Sequence, residues 1–523
     1  MDLTRRTAIT TAAVAAATAA TTGISPAEAT HAPHRQRLIP QPKPGTVATD
    51  PHTPKRDFRA YWIATVANID WPSTTGLTKD QQQAELTAWL DLAQQQRHNA
   101  VILQVRPTAD AFWPSRYEPW SAWLTGTQGQ NPGWDPLKFA VEQAHARNLE
   151  LHAWFNPFRV AMTEDPSTLI PSHPARQHPE WTIPYGGKLY YNPGIPQVRR
   201  FCIDAIMDAV RRYDIDGVHF DDYFYPYPVA GQTFHDEAQF AEYGGGRSLA
   251  DWRRSNINDL VIGLNKAIKR AKPWVQFGVS PFAIWRNKAT DPLGSDTTAG
   301  AQTYDDLYAD TRMWVLREIV DYIVPQVYWS IGFTAADYAK VAQWWADLTQ
   351  HSRTHLYIGQ ATYKVAANAD PHWNDPGELS SHLQFNTRYP QVEGNIYFSA
   401  KSVRADALGA TTLLNQQWYS RAALTPATPW LTRRAPRPIR DLRVHAGHLT
   451  WLAGSGDSAT YAVYRVAGRR VTSADLADAR NLVATVRSGG WVTHWTDPAP
   501  VPGATYAVSA LDRLSNESPA LTT

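Results

Sequence analysis

From Phe58 onward the chain alternates short apolar runs with longer stretches whose apolar positions recur at helical spacing. The runs at 58–66, 100–106, 150–155, 217–220, 275–280, 322–327, 356–359 and 395–399 read as buried strands. Stretches at 80–97, 137–147, 198–213, 249–272 and 335–349 read as amphipathic helices between them. Strands that each lead into a helix predict an α/β fold, with parallel strands closed into a (β/α)8 TIM barrel over residues 56–424. The competing open, doubly wound sheet would carry a Gly-rich phosphate turn after its first strand, and that turn is missing.

At Leu424 the pattern changes. Thr425-Pro-Ala-Thr-Pro429 and Arg433-Arg-Ala-Pro-Arg-Pro438 mark a Pro-rich linker over 425–438. Beyond it, short runs at 442–444, 448–452, 460–465, 482–486, 494–497 and 505–511, parted by Gly, Ser and Pro turns, predict a small all-β sandwich over 439–523. Its length and its Tyr461-Ala-Val-Tyr464 and Tyr506-Ala-Val-Ser509 segments resemble a fibronectin type III module. No acid cluster marks it as catalytic, so it reads as a spacer. At the other end, Thr4-Arg5-Arg6-Thr7, a weakly apolar Ala/Thr run and Ala27-Glu28-Ala29 read as a twin-arginine signal peptide over 1–29. Residues 30–55, rich in Pro, His, Lys and Thr, read as a flexible leader.

Composition narrows the function. Lys and Arg total 50 against 48 Asp and Glu, so no net field points to nucleic acid or an anionic membrane. The 22 Trp and 23 Tyr are more than a core alone calls for and suit stacking on sugar faces, which puts carbohydrate first. The single cysteine, Cys202, cannot form an internal bridge, as fits a protein exported already folded. No apolar run reaches the roughly 18 residues that span a bilayer. The expected product is a secreted or cell-wall-associated monomer without a membrane span or cofactor, whose partner is a polysaccharide.

The densest chemistry lies in Asp216-Gly-Val-His-Phe-Asp-Asp-Tyr-Phe-Tyr-Pro226, where the fourth strand runs into paired carboxylates. Alternation puts His219, Asp221 and Tyr223 on one side and Val218, Phe220 and Asp222 on the other. Asp221 is then the inward carboxylate, and Asp222 is the second catalytic candidate from the opposite pleat face. Barrel enzymes work at the C-terminal ends of their strands. The residues expected there to bind substrate are Arg106, Asp110, Glu118, His152, Trp154, Asn156, Arg159, His219, Tyr223, Trp285, Arg286, Gln326, Tyr328 and Trp329.

Arg59-Ala-Tyr-Trp-Ile, Arg106-Pro-Thr-Ala-Asp-Ala, Glu118-Pro-Trp-Ser, His152-Ala-Trp-Phe-Asn-Pro, the strand-four motif, Ser280-Pro-Phe-Ala-Ile-Trp-Arg-Asn and Pro325-Gln-Val-Tyr-Trp occur in this order. Across 58–424 they resemble the bacterial glycosyl-hydrolase-like family ten of secreted or lipid-anchored barrel proteins. The resemblance implies hydrolysis of a glycan such as peptide-stripped peptidoglycan or a related N-acetylhexosamine polymer. Two schemes stay open. Asp221 could act as nucleophile or base, with Asp222, Asp110 or Glu118 as acid, in an arrangement that resembles amylases. Alternatively, the motif resembles the chitinase strand-four motif, with Tyr328 supporting an N-acetyl group that attacks its own ring carbon; Tyr223 then stands where chitinases carry their acid, and Asp222 would have to replace it. The rival classes are a non-catalytic glycan-binding barrel and a metal-dependent deacetylase using His219, Asp221, Asp222 and His152.

Overall fold

The computed structural model of the chain describes residues 36–42, 52–432 and 434–523. The expected signal peptide lies outside them. Eight parallel strands close into a barrel: β1 (Phe58–Ile63), β2 (Ala100–Arg106), β3 (Glu150–Phe155), β4 (Gly217–Phe220), β5 (Gln276–Val279), β6 (Tyr322–Ile323), β7 (His355–Gln360) and β8 (Val392–Tyr397). Each leads into an outer helix, in order α1 (Lys79–Gln95), α2 (Pro136–Ala146), α3 (Pro196–Arg212), α4 (Leu249–Ala271), α5 (Thr311–Leu316), α6 (Tyr338–Thr349), α7 (Glu378–Asn386) and α8 (Ala410–Trp418). Side-chain oxygens of Thr78, Asp135, Ser248, Asp310 and Asp337 cap five of these helices by accepting from free N–H groups of the first turn.

Two strands stop three or more residues before the ends of their apolar runs. β6 stops at Ile323 because Pro325 has no N–H to give the ladder, leaving Gln326 as an isolated bridge to Phe282 and Gly359. β1 stops at Ile63, and the Thr65 and Val66 N–H groups turn to the Gln104 side chain instead. Pleat alternation sorts the core into two layers. Phe58, Ala60, Trp62, Ile102, Trp154, Tyr322, Tyr357 and Ile396 fill the barrel interior. Ile63, Leu103, Leu151, Val218, Phe220 and Phe277 pack outward against apolar helix faces such as Leu86, Trp89, Leu90, Leu260 and Leu264.

After the barrel come two antiparallel sheets. Arg440–His445, His448–Leu452 and Val492–Thr496 form one; Thr460–Val466, Leu482–Arg487, Thr505–Leu511 and Ala520–Thr522 belong to the other. Leu449 and Trp451 of the first pack on Tyr461, Val463, Tyr506 and Val508 of the second. Part of the stretch expected as a structureless leader is a strand, because Arg37–Ile39 pairs antiparallel with Ala520–Thr522 and extends the second sheet. Three residues carry no readable periodicity; the open sheet edge gives them their conformation. The sheets sit at the N-terminal ends of the barrel strands, where Thr460 Oγ1 donates to Asn148 Oδ1 at 2.8 Å and Arg513 pairs with Asp214. The C-terminal rim is left open.

Candidate active site

At that rim a cavity of about 230 Å3 is lined by Trp62, Ala64, Val66, Ile69, Trp154, Arg159, Asp221, Asp222, Tyr223, Ser280, Gln326, Tyr328, Tyr363 and Phe398. Asp221 is held by three N–H donors. Trp154 Nε1 donates at 3.1 Å, Asn156 Nδ2 at 3.0 Å and the Tyr223 backbone N–H at 3.2 Å. Asn156 is fixed at both ends, since its Oδ1 accepts the Arg159 N–H at 2.9 Å. Arg159 stands on a short strand (Arg159–Ala161) of a three-stranded sheet inserted after β3. Its Nε donates to the Pro107 carbonyl at 3.2 Å, and its guanidinium lies 5.0 Å from the Tyr223 ring centre.

Asp222 shares the cavity, which corrects the expectation from pleat parity. The strand ends at Phe220, so alternation no longer governs position 222. Its carboxylate accepts from the Tyr227 hydroxyl and, at 3.1 Å, from Gln326 Nε2. Burial pushes the Asp221 carboxyl up, the neighbouring Asp222 charge adds to this, and Arg159 opposes it, leaving it at about 7. Burial also raises Asp222, against its Tyr227 and Gln326 donors. The buried Asp221 carboxyl and its part-buried neighbour titrate as one unit that keeps a proton well above the usual carboxylate range. Asp221 receives three N–H groups, which favour its ionised form, and Asp222 receives a hydroxyl and an amide N–H.

Of the other expected residues, Trp154, Arg159, Tyr223, Gln326 and Tyr328 line the cavity, and Asn156 supports Asp221 from behind. The rest lie elsewhere. Arg106 is fully buried in a two-point ion pair with Glu118, with Arg106 Nη1 also donating to the Pro157 carbonyl at 3.1 Å. That pair braces the loops after β2 and β3, so Glu118 is not available as an acid. Asp110, pushed up to about 7 by burial, accepts the Thr108 N–H at 3.2 Å and stays outside the lining. Trp285 donates to Asp310 at 3.2 Å, Arg286 is paired with Asp305 and Asp291, and Trp329 packs edge-on against Phe282. His152 and His219 lie below the cavity on the barrel axis, with all four ring nitrogens hydrogen-bonded inside the protein. With these nitrogens engaged inside the protein, the two imidazoles and the aspartates do not form a metal-ligand group among the described residues.

Trp62, Ala64, Val66, Ile69, Ser280, Tyr363 and Phe398 complete the wall without having been expected to bind substrate. For Trp62 the signal was present: Ala60, Trp62 and Ala64 alternate on the inner face of β1. Tyr328, Tyr363 and Phe398 meet with ring centres 5.9–6.4 Å apart, and Trp62 lies 6.1 Å from Phe398, making an aromatic side opposite the carboxyls. A larger groove of about 920 Å3 opens at the other end of the barrel, but its acids are engaged: Glu393 with His355, and Glu517 with Lys55 and Arg56.

A family profile described as glycosyl hydrolase-like 10 matches residues 57–375. The chain is 47% identical over 479 residues to glycosyl hydrolase YngK of Bacillus subtilis (strain 168), spanning 89% of this chain and 92% of that protein. It is 41% identical over 387 residues to glycosyl hydrolase DigH of Escherichia coli (strain K12), spanning 69% and 88%. Among solved structures, the PgaB (BpsB) glycoside hydrolase domain from Bordetella bronchiseptica aligns with 70% of this chain and 99% of that one, at 12% identity and a TM-score of 0.45.

Proposed function

The chain belongs to the glycosyl hydrolase-like 10 family, its function is of the glycosidase type, and on that premise we propose that it cleaves the glycan backbone of a bacterial cell wall. The substrate is an N-acetylhexosamine polymer such as peptide-stripped peptidoglycan. The observation that carries this reading is the Asp221–Asp222 pair sharing one cavity with Tyr328 and an aromatic wall. Asp222, which holds the shared proton, donates it to the leaving oxygen. Asp221, ionised among its three donors, orients the N–H of the substrate's 2-acetamido group, whose carbonyl oxygen attacks the ring carbon. The Tyr328 hydroxyl hydrogen-bonds that carbonyl oxygen and holds it under the ring carbon, and the Asp221 carboxylate balances the positive charge that develops on the acetamido group. Arg159 limits the repulsion between the two acids. A cavity of this size suits one ring of the polymer at the reacting position.

The test is incubation of the protein with intact sacculi, peptide-stripped glycan strands and chitin, with new reducing ends read by mass spectrometry. Cleavage of the stripped strands is expected, and Asp221→Asn and Asp222→Asn should each lower kcat by about 10²–10⁴ while glycan binding persists. Binding with no cleavage of any of the three would favour the glycan-binding barrel instead. A thiazoline analogue of the bicyclic intermediate should inhibit; failure to inhibit an active enzyme would favour Asp221 as a direct nucleophile. Arg5-Arg6 and Ala27-Glu28-Ala29 support export through the twin-arginine route, checked by whether the mature protein outside the cytoplasm starts at Thr30.

A further inference from the structure

A chain of buried hydrogen bonds runs down the barrel axis from the cavity wall to the opposite end. Trp62 Nε1 lies 3.1 Å from His219 Nε2, and His219 Nδ1 lies 3.0 Å from the Tyr322 hydroxyl. That hydroxyl lies 2.8 Å from His152 Nδ1, and His152 Nε2 lies 3.2 Å from Glu150 Oε2. Trp62, His219, Tyr322 and His152 are all buried. The Trp62 contact gives the chain its direction. An indole N–H only donates, so His219 Nε2 accepts and carries no proton. The proton of His219 is then on Nδ1 and goes to Tyr322, Tyr322 donates to His152 Nδ1, and His152 Nε2–H donates to Glu150. A carboxylate closes such a chain because it accepts without donating. Ser280 Oγ, 2.8 Å from the same His219 Nε2, ties a second residue of the cavity wall to it.

The barrel makes room for this chain at the expense of side chains. A Cβ at Gly217 would lie 2.4 Å from His152 Nδ1, and one at Gly278 would lie 2.0 Å from the Tyr322 ring. Two inward positions on adjacent strands are thus empty where the imidazole and the phenol pass. At the far end, Glu150 Oε1 accepts from Thr425 Oγ1 at 2.8 Å, and the Thr425 hydroxyl also meets Ser515 of the second sheet. The orienting carboxylate is therefore held where the C-terminal sheets dock.

We propose that Glu150, His152 and Tyr322 are positioning residues that hold His219 as its Nδ1–H tautomer and thereby fix Trp62 and Ser280 as a rigid wall of the sugar cavity. The inference rests on the reading of that cavity as the glycan site. Neither histidine needs to touch substrate. The chain sets the orientation of the groups that do, and its loss weakens substrate binding more than turnover.

Two kinds of measurement test this on the full chain. In ¹⁵N-histidine spectra, His219, assigned by the signal lost in His219→Asn, should be a single Nδ1–H tautomer, and the Trp62 indole N–H, assigned with Trp62→Phe, should exchange slowly. Tyr322→Phe keeps the ring but breaks the chain. It should mix the His219 tautomers, speed indole exchange and raise KM on stripped glycan strands about tenfold with kcat nearly unchanged. Glu150→Leu should do the same, and Glu150→Gln, whose amide oxygen still accepts, should restore parent values. An Nε2–H tautomer at His219 in the parent overturns the proposal, as does a folded Tyr322→Phe or Glu150→Leu with parental tautomer and KM. If Tyr322→Phe fails to fold, the parent spectrum and the Glu150 pair decide. If the parent cleaves no glycan, the functional reading fails, while the tautomer and indole measurements still decide this one.

Discussion

The position of Asp222 shows how one backbone step changes the chemistry available to a side chain. Had β4 continued through it, pleating would have turned it toward the outer helices; past the end of β4 it swings into the cavity and meets Tyr227 and Gln326. The pair that results makes a pH prediction. The pair keeps its shared proton to about 7, against an ordinary carboxyl value of 3.8, so between these values the native state binds more protons than the unfolded chain. Stability contributed by the protonated pair is fully present below about pH 4 and is lost as pH rises toward about 7. The melting temperature of Asp221→Asn relative to the parent should therefore rise from pH 4 to pH 8, as scanning calorimetry would show; a gap independent of pH would mean that the pair is not strained by burial. Asp221 was legible because strand period and acid identity coincide there. Arg106 and Glu118 misled because a buried ion pair and a substrate-binding pair use the same residue types, and only their mutual distance tells them apart.

Among the elements, the eight barrel strands were legible because each is buried on both faces and so reads as a continuous apolar run. What the runs concealed is their inner face. On β4 and β5 that face has glycine at 217 and 278, which looks like a weakness in a strand until the rings of His152 and Tyr322 are placed against it. Gly278→Ala would put a methyl inside the Tyr322 ring and should destabilise the barrel by about 1–3 kcal/mol, measured by urea unfolding. An unperturbed midpoint would show that the phenol can move aside freely. The three-stranded insertion after β3 that carries Arg159 was not foreseen, since strands of three and four residues give no period to read.

At the scale of the molecule, the C-terminal sheets cap the floor of the barrel and leave the cavity end free. Their union with the barrel includes Glu517, whose side chain is buried. Burial pushes its carboxyl up, but Lys55 and Arg56, with the Ser509 and Tyr464 hydroxyls, outweigh this and hold it below its ordinary value. Glu517→Ala leaves those cations facing a buried site without a counter-charge and should cost about 3–5 kcal/mol, read as a lowered urea midpoint. A shift within error would mean that the sheets are held by apolar packing alone. The sequence by itself determined the barrel, the family and the carboxylate motif, because periodicity and residue identity are local properties. Only the tertiary structure decided which polar groups meet. The partners of Asp221 come from residues 154, 156 and 223, those of Asp222 from 227 and 326, and the chain behind Trp62 from three other strands. Charge and hydrogen-bond energies depend on separation in space, which closing the barrel sets and the order of residues does not.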